Sequence, residues 1–73
     1  MWYCVIHFPT LRVLYHGIDE QAAKNASTPQ TYTAIADRYG PALSKAAMAA
    51  GYLRRGVPVP EFGPRTNSND ADG

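Results

Sequence analysis

The stretch TAIADRYGPALSKAAMAAGYLRRGVPVP, Thr33 to Pro60, decides what kind of molecule this is. From Pro41 to Arg55 it reads as a helix, because proline is tolerated in a first turn and alanine is the best helix former. Leu43, Ala46, Ala47, Ala50 and Leu53 line one side at helical spacing and are the expected packed face. Side chains that small let a helix lie close to a sheet. Gly51 weakens the interior, and Gly56, with Pro58 and Pro60 beyond it, ends the helix. Just upstream, TYTAIADRY carries two signals. Tyr32, Ile35, Ala36 and Tyr39 recur at helical spacing, while TYTAI has the β-branched and aromatic character of a strand. The strand reading is favoured, since a third strand gives an upstream hairpin the pairing that a two-stranded ribbon lacks. Thr31 to Tyr39 nonetheless stays open between strand and helix.

Working outward, WYCVIHF (Trp2 to Phe8) and RVLYH (Arg12 to His16) are both rich in aromatic and β-branched residues. The short link Pro9-Thr10-Leu11 joins them as a β-hairpin. Trp2, Cys4, Ile6 and Phe8 share one face of the first strand, and Tyr3, Val5 and His7 the other. Both faces are largely apolar, so one is expected under helices and the other under a partner. Gly17 ends the hairpin. IDEQAAKNAS then reads as a short helix, with Asp19 and Glu20 at the positive end of its dipole and Ile18, Ala22, Ala23 and Ala26 as its buried stripe. Ser27-Thr28-Pro29 stops it. Either way the outcome is an α+β single domain: an N-terminal hairpin, joined by a third strand where Thr31 to Tyr39 is extended, packed against two or three short helices. The compact part is expected over residues 1–62. The polar stretch 63–73, GPRTNSNDADG, reads as a disordered tail.

IADRYG also fits the first helix of a helix-turn-helix, with Ala36 and Gly40 at the small-residue and turn positions and Ile35 and Tyr39 packed. In this it resembles phage repressor-type regulators, and RRGVPVP resembles the segment after the recognition helix in small Cro-like repressors of phages. That resemblance implies a DNA-binding regulator, dimeric because one short helix makes too little contact. The second helix would then be ALSKAAMAAG, which offers base edges only Ser44 and Lys45 where direct readout calls for Arg, Asn or Gln. Sliding the register so that AAGYLRRG becomes the turn places Pro58 and Pro60 inside the reading helix. An alanine-lined helix packed on a sheet accounts for the segment better.

Composition narrows the classes further. With 73 residues and 45% hydrophobic content, the chain supports one small core and no second. Seven Lys and Arg stand against six Asp and Glu, a net charge of +1. That balance argues against a dedicated phosphate-neutralising binder, and direct DNA binding is the less favoured option. One cysteine excludes an internal disulfide and suits a reducing cytoplasm. The first apolar run is broken by His7 and Pro9, so neither a signal peptide nor a membrane span is expected. Cys4, His7 and His16 lack the paired spacing of a zinc site, and Cys4 with His16 as base lacks any sign of a lowered thiol pKa. Asp19, Glu20 and Asp37 are explained as first-turn, cap or turn residues. No phosphate-cradling loop is present. The expectation is a non-enzymatic protein with no cofactor and no metal.

The aromatic residues carry the functional signal. Eight of them, Trp2, Tyr3, Phe8, Tyr15, Tyr32, Tyr39, Tyr52 and Phe62, are too many for so small a core. Tyrosine, tryptophan and arginine are enriched at interface hot spots. Two surfaces would suit protein recognition, Tyr3, Tyr15 and His16 on the hairpin or Tyr52, Arg54 and Arg55 at a helix end; the equal alternative is that these tyrosines and arginines only cover the edge of the core. In dimensions and lack of chemistry the domain resembles the small anti-defence inhibitors of phages and mobile elements, anti-CRISPR proteins among them. That resemblance implies a stoichiometric inhibitor working in the cytoplasm of a bacterial host cell. Its partner there is a host protein or ribonucleoprotein complex, one functional surface of which it covers. These families share no diagnostic motif, so no residue takes a role from them. Homodimer formation stays open.

Overall fold

A computed structural model describes residues 1–60. Five elements follow in order: strands β1 (Trp2–His7) and β2 (Arg12–Gly17), helix α1 (Glu20–Ala26), strand β3 (Thr31–Ala36) and helix α2 (Tyr39–Arg54). The strands form one sheet in the order β2-β1-β3, with β1 antiparallel to both neighbours. The architecture is the expected α+β single domain with two helices, and Thr31–Ala36 is strand. The stretch 63–73, expected to be a disordered tail, lies outside the described residues, as does the boundary at 62.

Register assigns the faces. Trp2, Cys4 and Ile6 of β1 pair with Ala36, Ala34 and Tyr32 of β3, so these six share a face. There α2 packs, and Cys4, Ile6, Ala34, Ala42, Ala46 and Ala50 form the core, with Trp2, Phe8, Tyr32, Ala36 and Leu43 around it. Tyr3, Val5 and His7 point the other way. That face is not left to a partner, as the sequence had suggested: α1 packs on β1 and β2, and Val5 and Ala23 are buried. The Ser27 hydroxyl at the end of α1 lies 3.1 Å from that of Thr33, the residue paired with Val5, which fixes α1 on this side.

Each helix is bounded by its local chemistry. Asp19 caps α1, its carboxylate accepting from the backbone N–H groups of Gln21 (3.0 Å) and Ala22 (3.2 Å). Ile18, expected in the buried stripe of α1, is exposed instead. It precedes the cap, where the chain has not yet entered the helix and its side chain is not on the helical face. Helix α2 starts at Tyr39, two residues before Pro41, and ends in a Schellman motif. Gly56 (φ 76°) donates to the Leu53 carbonyl, and Val57 to that of Tyr52.

The buried face of α2 is Ala42, Ala46, Ala49 and Ala50. Ala47, expected inside, is exposed, and Leu43 and Leu53 are half-buried. The smallest side chains take the line of closest approach to the sheet, and the two leucines straddle it. Among the described residues, no helix is long and apolar enough to cross a membrane.

The helix-turn-helix placement fails at its first element. Ile35 and Ala36 end β3, Asp37 and Arg38 form the turn, and Tyr39 and Gly40 already belong to α2. The alternative register fails too, because Ala49 to Arg54 continue α2 without a break. Sheet pairing outweighed the 3.6-residue recurrence of Tyr32, Ile35 and Tyr39: β1 offers a complete ladder to residues 31–36.

Candidate protein-binding surface

The sheet is covered unevenly. Helix α2 packs on β1 and β3, while α1 packs on β1 and β2 from the opposite side. Strand β2 is therefore an edge that α2 leaves largely open. Leu11 (38% exposed), Val13 (42%) and Leu14 (46%) stand on or beside it. Single surface leucines are ordinary, but three exposed large apolar residues within four positions concentrate apolar surface at one end of β2.

Two backbone irregularities place the leucines there. The link from β1 to β2 is Phe8 to Leu11, closed by a hydrogen bond from the Leu11 N–H to the His7 carbonyl at 2.7 Å. To close it, Leu11 adopts φ 60°, the left-handed region that costs an L-residue with a Cβ roughly 1–2 kcal/mol. One step on, β2 carries a bulge. Val5 pairs with Tyr15 and Ile6 with Val13, so Leu14 has no partner on β1. A bulge kinks its strand and re-aims a side chain, here into solvent.

From sequence, RVLYH reads as a strand with none of these residues singled out. The signal was the run Val13-Leu14-Tyr15. A regular strand with one covered face alternates apolar with polar, and three apolar residues in a row mark either two covered faces or a bulge.

At the other end of β2, the His16 ring packs at a 38° tilt against Tyr39 of α2 with ring centroids 4.6 Å apart, and Trp2 lies 5.8 Å from Tyr39. These three rings join the start of α2 to the sheet. The hairpin patch expected from sequence is split by the pairing. Tyr3 and Tyr15 lie on the α1 face, opposite Gly17 and Val5, whereas His16 pairs with Cys4 on the α2 face.

Tyr15 also serves the fold itself, since its hydroxyl accepts the Asp19 N–H at 3.1 Å and lies against Gly17. A Cβ at Gly17 would come within 2.5 Å of that oxygen, so a larger residue there would displace the Tyr15 hydroxyl. In the second expected patch, Arg54 and Arg55 are exposed at the end of α2 while Tyr52 is half-buried.

A second surface feature lies at the opposite edge, a groove of about 510 Å³ where β3 turns into α2. Met1, Ile35 and Pro41 give it apolar walls, and Asp37, Arg38 and Lys45 are its charged side chains. Lys45 donates to the Ile35 carbonyl at 3.3 Å, which holds its ammonium at the groove and occupies a backbone acceptor of β3.

Of the chemistry weighed from sequence, Cys4 and His16 are cross-strand partners. Cys4 is fully buried, and desolvation pushes its thiol above the usual cysteine range. His7 and Cys4 lie on opposite faces, and Nδ1 of His7 is 2.8 Å from the Thr10 hydroxyl. Among the described residues, no three His, Cys, Asp or Glu side chains gather to hold a metal ion. No protein family, curated protein or solved structure matches the chain.

Proposed function

We propose that this domain is a non-enzymatic protein-binding inhibitor of the phage anti-defence kind. It acts stoichiometrically, by lying on a functional surface of a host protein or ribonucleoprotein complex. The observation that carries the reading is the open edge strand β2 and the turn that leads into it, where strained backbone at Leu11 and a bulge at Leu14 leave both, with Val13, in solvent. Apolar edge strands invite further pairing, and proteins that use them offer backbone groups for affinity and alternate side chains for specificity. The packed ring of His16 extends that edge with a half-polar, half-apolar contact.

The outward face of α2 supports the same reading from the other direction. Gly40, Ser44, Ala47 and Met48 are exposed there, and on that face Arg54 alone, in the last turn, has the length and hydrogen-bonding groups that reach base edges in a groove.

The test is affinity capture from a bacterial lysate with the wild-type domain and with Leu14→Glu, which changes an exposed side chain and leaves the core intact. Retention of a defined host complex by the wild type and its loss with Leu14→Glu supports inhibition through β2. Equal capture by both proteins, or recovery of duplex DNA alone with steep salt dependence, contradicts it.

A further inference from the structure

The groove between β3 and α2 has a chemistry of its own, separate from β2. Its apolar walls are unusually open: Ile35 is 44% exposed and Met1 68%. Its charged side chains are two cations, Arg38 and Lys45, against one carboxylate, Asp37. Arg38 is exposed, and its planar fork matches a carboxylate with two parallel hydrogen bonds. Lys45 commits one donor to the Ile35 carbonyl, which leaves two for another acceptor.

We infer that this groove binds a protein segment that places an apolar side chain against Ile35 and a neighbouring carboxylate between Arg38 and Lys45. The charge balance selects the acidic partner. An isolated small molecule fits poorly, because ligand pockets bury most of their ligand and this groove is open along its length. Nucleic acid fits poorly as well: two cations neutralise few phosphates, and Asp37 repels them. An extended acidic segment needs neither enclosure nor many cations. Its backbone bridges the open side while one side chain and one carboxylate fill the two chemical halves of the groove.

The experiment uses the full chain, ¹⁵N-labelled, titrated with the peptide Gly-Asp-Leu-Asp-Gly while amide shifts are followed, with Trp2 fluorescence as a second readout. Trp2 pairs with Ala36, which itself lines the groove between Ile35 and Asp37, so its emission reports on this end of the sheet. Shifts confined to the start of β1 at Trp2 and to Ile35–Lys45, a loss of affinity of about tenfold in an Arg38→Glu, Lys45→Gln double variant, and weaker binding of Gly-Asp-Ser-Asp-Gly are expected. Should the double variant fail to fold, Arg38→Glu alone, at an exposed site, is expected to weaken binding about threefold.

Equal shifts with Gly-Lys-Leu-Lys-Gly would overturn the inference. So would equal shifts with inorganic phosphate, since a simple anion would then suffice, or concentration-dependent shifts without peptide, since a second copy would then be the occupant. None of these outcomes touches β2, so the groove and the inhibitor reading fail or stand separately.

Discussion

Gly51 stands inside α2 with no packing reason to be glycine: a Cβ built on it meets nothing within 4 Å. Gly51→Ala should therefore stabilise the fold by about 1 kcal/mol through helix propensity alone. In a domain this small that is a rise of roughly 4–8 °C in Tm, read from thermal unfolding. Leu11 presents the converse case, a side chain held where the backbone favours glycine. Leu11→Gly removes strain of roughly 1–2 kcal/mol and returns part of it as unfolded-chain entropy. The variant should be as stable as the wild type or more so, by up to about 1 kcal/mol in urea unfolding, while losing partner capture. A loss of more than about 1 kcal/mol would mean that the leucine serves the fold and not a partner. Cys4 adds a pH signature. Burial raises its folded pKa above the unfolded value, so its contribution to stability is complete below the ordinary thiol pKa and is lost as pH rises through the raised one. Native protein at pH 8 should resist a thiol-reactive dye that labels it at once in guanidinium, and Cys4→Ala should flatten the alkaline fall in stability.

At the level of elements, α2 rests on the sheet through side chains of one carbon, and this closeness is what makes its register testable. Ala46→Leu forces three more carbons into a fully buried contact and should cost about 1–3 kcal/mol. Ala47→Leu, one position on and exposed, should cost less than about 0.5 kcal/mol in the same denaturation series. Sequence alone placed this helix within two residues and found its stopping glycine, because propensity and cap chemistry act locally. It misplaced the packed face by about one residue, since which side of an alanine-rich helix turns inward is decided by the sheet it meets. The same limit explains β3. TYTAI could be read either way until β1 offered it a partner, and the pairing, not the segment, made it a strand. The hairpin was legible from its aromatic and β-branched runs. The bulge at Leu14 was not, because it arises from how Val5 and Ile6 match β2 across the ladder. With the bulge went the most informative part of the proposed binding surface, and the expected trio of Tyr3, Tyr15 and His16 fell on two faces.

At the scale of the whole molecule, the balance of inside and outside is unusual. Of the nine buried apolar residues among those described, six are alanines, and the largest are Ile6, Val5 and Cys4. Meanwhile Leu11, Val13 and Leu14 remain in solvent on one edge. A core so lean in large side chains gives a domain of this size little stability to spare, so apolar groups left outside represent burial available to a complex. The measurement that tests this most directly is site-specific photocrosslinking in bacterial cells, with a benzophenone amino acid at position 14 in one protein and at position 47, on the outer face of α2, in another. A discrete adduct from position 14 and none from position 47 is the expected result. Adducts from position 47, with position 14 silent, would show that α2 and not the open strand meets the partner.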